Sequence, residues 1–83
     1  MPISNQPLAE RIARVLAGSA LSSNADGSNA SAGDEVDRAW PDHLDQAIAV
    51  LHTMREPDKA MADAGDAETW TRMVETALAG QPD

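Results

Sequence analysis

The sequence predicts an all-α fold, a small bundle of three main helices plus one short helix. Three observations point that way. Apolar residues recur at i, i+3 and i+4 in three separate stretches, no stretch alternates apolar with polar residues, and Pro and Gly punctuate the intervals. At 83 residues the chain forms a single domain.

The first helix is expected over residues 7–21. At about 100° per residue, Leu8, Ile12, Val15 and Leu16 fall within one sector of roughly 100°, which Ala9, Ala13 and Ala20 widen. Glu10 precedes Arg14 by four residues, the favourable orientation for an ion pair, and Pro7 suits a first turn. Gly18 weakens the end and Leu21 falls off the stripe, so fraying is expected between them. Residues 22–33 carry no large apolar side chain and read as a flexible linker of Ser, Asn, Gly and Ala. Asp34–Ala39 offers at most a turn of helix, because Pro41 disfavours helical geometry at Trp40.

The second helix is expected over 41–55, with Leu44, Ala47, Ile48, Leu51 and Met54 on one face and Val50 extending it. Asp42 and Asp45 suit its positive end and Arg55 its negative end, and Pro57 stops it. Pro57 then opens the short third helix, 57–64, with Asp58 in the first turn and Gly65 as a left-handed stop. Asp66 is the expected N-cap of the fourth helix, 66–79. There Trp70, Met73, Val74, Ala77 and Leu78 give the cleanest helical spacing in the chain, and Gly80 and Pro82 end it.

The stretch Met54-Arg55-Glu56-Pro57-Asp58-Lys59-Ala60-Met61-Ala62-Asp63-Ala64-Gly65 resembles an M-R-E-P-x-x-A-M-x-x-A-G signature of small bacterial and prophage-borne proteins. The likeness runs from about Leu44 to Leu78, leaving out the first helix and the linker. That group has no assigned activity, so the resemblance implies a small protein and transfers no site.

Composition narrows function. Of the apolar residues 16 are alanine, and beyond Met1 only 18 large apolar side chains remain, with no Phe or Tyr. Leu, Ile and Val make up 13 residues, below the roughly one-fifth typical of globular chains, and the net charge is −8. A large enzyme core is excluded. No run approaches the ~18 apolar residues of a membrane span. Without cysteine there is no disulfide or thiolate metal site to reinforce the thin core, and a homodimer or a core-completing partner becomes attractive. The opening residues have neither a basic nor an apolar signal region, which points to the cytoplasm.

No catalytic set emerges. His43 and His52 fall on opposite flanks of one helix and cannot share a metal within the chain, and Asp45, His52 and Glu56 have no nucleophile to activate. Residues 24–35 have the length of a calcium loop, but Asn29 stands where that loop needs glycine. No metal or cofactor is implied. A helix-turn-helix over Met61–Val74 is the alternative reading. Its second helix carries Asp66, Glu68 and Glu75 against Arg72 alone, which opposes phosphate binding and argues against nucleic acid as a partner.

What remains is a protein–protein interaction or accessory role, with a protein partner or a second copy and no membrane. Met54, Met61 and Met73 suit core packing or, as the alternative, an adaptable groove for a partner helix. Trp70 belongs to the core by spacing, whereas Trp40 is read as a lid on that core or, alternatively, an interface anchor. Asp34, Glu35, Asp37, Asp42 and Asp45 form an acidic run that keeps a face solvated or docks a basic surface. The candidate partner-binding residues are therefore Trp40, Met54, Met61, Asp34, Glu35 and Asp37.

Overall fold

Alanine, rather than the larger apolar residues, seats the first helix, α1 (Leu8–Asn24), against the rest of the chain. The computed structural model describes residues 3–24 and 32–80. After α1 come α2 (Ala32–Ala39), a 3₁₀ turn (Trp40–His43), α3 (Leu44–Met54), α4 (Lys59–Ala64) and α5 (Ala67–Ala79). Helices are the only regular structure among the described residues, as the spacing predicted. α1 packs on α2, the 3₁₀ turn, α3 and α5, so it docks within its own chain. α3 also packs on α5, and α4 has no comparable contact with any other helix.

On α1, Ala9, Ala13 and Ala17 are completely buried, Leu8, Ile12 and Leu16 are half-buried, and Val15 is 71 % exposed. The buried face is thus turned by roughly 100°, one residue's advance, from the stripe that side-chain size selects. The physical reason is proximity. Methyl side chains allow α1 to lie close to several neighbours at once, and Ala47 of α3, also fully buried, is as small. Leu51 is the one large side chain with no exposure among the described residues. It clusters with Ala9 and Val74, and Leu8, Ile12, Leu44, Met54, Trp70 and Leu78 pack around them.

Several expected boundaries move. Gly18 does not fray α1; α2 covers it, with Val36 Cγ2 3.8 Å from where a Cβ would stand. Of the segment 22–33, residues 22–24 belong to α1 and residues 32–33 to α2, while 25–31 lie outside the described residues. Asp34–Ala39 is part of an eight-residue helix rather than a single turn, with Asp34 and Glu35 at its positive end and Arg38 at its negative end. Pro41 does not open an α-helix. It sits in the 3₁₀ turn, whose last carbonyl partner is Pro41 O, accepting from the Leu44 N–H, and the α-helix begins only at Leu44.

Asp58 lies outside α4 as its N-cap, accepting from the Met61 N–H at 2.9 Å. Gly65 closes α4 at φ −152°, so its left-handed freedom is not used. Asp66 caps α5 as expected: Oδ1 accepts from the N–H groups of Glu68 and Thr69 at 3.0 and 3.3 Å. The Cα radius of gyration is 15.0 Å, above the roughly 12 Å of a compact domain this long. The helices spread out, and several apolar side chains stay uncovered.

Candidate partner-binding groove

Helix α5 is fixed to α3 by two adjacent side chains. Trp70 Nε1 donates to the Met54 carbonyl at 2.6 Å, and Thr71 Oγ1 donates to the Arg55 carbonyl at 2.9 Å. These are the last residue of α3 and its C-cap, whose carbonyls have no partner inside their own helix. Pro57, lacking an N–H, cannot supply one either. α5 therefore completes the end of α3 from outside.

With the indole held there, Trp70 forms part of a groove of about 220 Å³ between α4 and α5, shared with Pro57, Met61, Gly65 and Met73. Met61 is 42 % exposed and Met73 64 %. Among the described residues α4 makes no extensive contact with another helix, and Met61 stays exposed beside α5. Asp66 stands at the groove, its carboxylate held below its ordinary value by the Thr69 N–H and hydroxyl and then by the Glu68 N–H. It is an anion at neutral pH.

The structure separates the other sequence-selected residues from this groove. Met54 is half-buried around the Leu51 cluster, so its side chain is core and only its carbonyl serves α5. Trp40 is half-buried in the 3₁₀ turn, with the Arg14 guanidinium 5.4 Å from its ring centroid, a cation–π distance. Arg14 also binds Asp37 at 2.6 Å and Glu10 at 2.9 Å, and the Asp37 bond first, then the Glu10 bond, raises its pKa. Asp37 is thus engaged within the chain, Asp34 is exposed and Glu35 half-buried; all three lie on α2, which packs on α1 and the 3₁₀ turn.

His43 Nδ1 donates to Gln46 Oε1 at 3.0 Å, and His52 is exposed. Most of the calcium-loop stretch falls in 25–31, outside the described residues. Two further hollows exist. One of about 570 Å³ runs along a single face of α5 past Glu68, Arg72 and Glu75, an open surface rather than a cleft. The other, about 360 Å³, lies between α1 and α3 and is lined by Leu8, Arg11, Ile12, Val15, Leu16 and Val50. Neither histidine lines any of the three hollows. Among the described residues no helix is long and apolar enough to cross a membrane, and no group of acidic or imidazole side chains is arranged to hold a metal ion.

Sequence spacing found Met61 and Met73 but assigned Trp70 to the core alone. The signal that pointed further was Pro57: a helix stopped by proline needs outside donors, and Trp70-Thr71 supplies two. No protein-family model matches the chain, and no curated protein or solved structure is significantly similar to it.

Proposed function

We propose that the chain is a small non-catalytic interaction domain whose α4–α5 groove receives an apolar side chain from a basic, amphipathic partner segment. The observation that carries this reading is the exposure of Met61 and Met73 beside a Trp70 ring fixed through its N–H. Flexible thioethers next to a rigid indole form an adaptable apolar surface, the chemistry that helix-in-groove recognition uses. The groove, about 220 Å³, is smaller than the ~300–1,000 Å³ of small-molecule sites, and suits a side chain better than a substrate. A net charge of −8 draws basic partners and repels duplex phosphate.

The test uses two synthetic amphipathic peptides with one leucine face, the polar face lysine in one and glutamate in the other. Methyl signals of the labelled methionines are followed. Binding of the lysine peptide should move Met61 and Met73 more than Met54, weaken as salt rises, and disappear in Met73→Glu. Equal binding of both peptides, or an unchanged response in Met73→Glu, overturns the reading.

A further inference from the structure

The groove between α4 and α5 offers a ligand a side-chain acceptor but no side-chain donor. Of its lining side chains, Asp66, Thr69 and Trp70 alone carry nitrogen or oxygen. The Trp70 N–H is spent on the Met54 carbonyl, and the Thr69 hydroxyl proton on Asp66 Oδ2 at 3.1 Å. Asp66 keeps capacity to spare. Its carboxylate is exposed and has sites for about four hydrogen bonds, of which the Glu68 N–H, the Thr69 N–H and the Thr69 hydroxyl take three. The Arg72 guanidinium reaches Thr69 Oγ1 at 3.4 Å, and among the described residues no ion pair engages Asp66. The bonds that hold the carboxylate also fix its direction, so a set anion stands beside the Trp70, Met61 and Met73 surface.

We propose that Asp66 reads the partner's basic residue: an ammonium or guanidinium one helical turn from the apolar side chain that enters the groove pairs with the Asp66 carboxylate. The inference rests on the groove reading above and adds a spacing to it. Residues four apart on a helix lie on one side, so an apolar anchor and a cation at i±4 face Trp70 and Asp66 together. A cation at i±2 points away from them. A partner's carboxylate in that place would meet like charge, with no lining side chain left to donate to it. The net charge of −8 draws any basic segment from a distance, whereas Asp66 chooses among basic segments of equal charge.

The experiment compares two helical peptides of identical composition and charge, each with a central leucine in an apolar face. Lysines stand four residues either side of that leucine in the first and two residues either side in the second. Binding to the whole chain is followed by the methyl signals of Met61 and Met73. The first peptide should bind about two- to fivefold more tightly, the range of an exposed ion pair. Asp66→Asn keeps a capping oxygen and should erase that preference with unchanged helical circular dichroism. If it loses helix, Asp66→Ser, an uncharged cap, takes its place. Glu75→Gln removes the same charge from the same helix away from the groove and should preserve the preference. Equal binding of the two peptides, or a preference that survives Asp66→Asn, overturns the role of Asp66 and leaves the groove reading standing. So does a preference lost equally in Glu75→Gln. Met61 and Met73 signals unmoved by either peptide overturn both.

Discussion

The indole N–H of Trp70 donates to the main-chain carbonyl of Met54 at 2.6 Å, joining α5 to the last residue of α3. That carbonyl has no partner within its own helix, so the bond satisfies a group that solvent would otherwise have to reach beneath the ring. Trp70→Phe keeps an aromatic ring and removes the donor. The expected cost is about 1–2 kcal/mol in urea unfolding, with α5 becoming more accessible to amide exchange. Thr71→Val, which deletes the neighbouring donor to Arg55, should add to it less than additively, since both bonds hold one junction.

The seating of α1 gives a test with opposite outcomes at two positions. Ala13→Leu pushes a larger side chain into a fully buried site and should cost about 1–3 kcal/mol. Val15→Ala, made on the exposed side, should change monomer stability by no more than about 0.5 kcal/mol. If the larger residues faced the core, the ranking would reverse.

Gly18 lies inside α1, and a Cβ there would meet only Val36 Cγ2, at an ordinary 3.8 Å. Gly18→Ala should therefore stabilise the fold by about 0.5–1 kcal/mol, through helix propensity and a less disordered unfolded chain. Thermal unfolding followed by circular dichroism measures it.

Asp66 contributes a pH dependence of known sign. Its carboxylate accepts from Thr69 and Glu68, which lowers its pKa below the ordinary 3.8 in the folded protein. Its stabilisation is fully present above the unfolded value and is lost as pH falls through the folded one. Asp66→Asn retains a capping oxygen that does not titrate. Wild type should be the more stable at neutral pH, and the gap should close as the solution is acidified below the ordinary carboxylate range.

The all-α class and the faces of α3 and α5 were legible, the latter because their large side chains, Leu51 and Val74, are buried. The face of α1 was legible only in part: Ala9 and Ala13 were read at the margin of its stripe, and they turn out to be its centre. Periodicity weights side chains by size, whereas helices in close contact bury the smallest, so Ala9, Ala13 and Ala17 outrank Leu8 and Val15. α2 was under-read because its one large apolar residue is Val36, and a helix held by one such contact, by Arg14–Asp37 and by the 3₁₀ turn leaves little periodic trace. Of the groove, Met61 and Met73 were visible by spacing. The role of Trp70 depends on a carbonyl sixteen residues away, which no local pattern encodes.

The row of methyl groups at Ala9, Ala13 and Ala17 inverts the usual map of mutational tolerance. A saturation scan of this chain should find the oily Val15 permissive and the plain alanine positions strict. Any added carbon would prise the helix axes apart, and glycine would loosen the backbone that keeps them aligned.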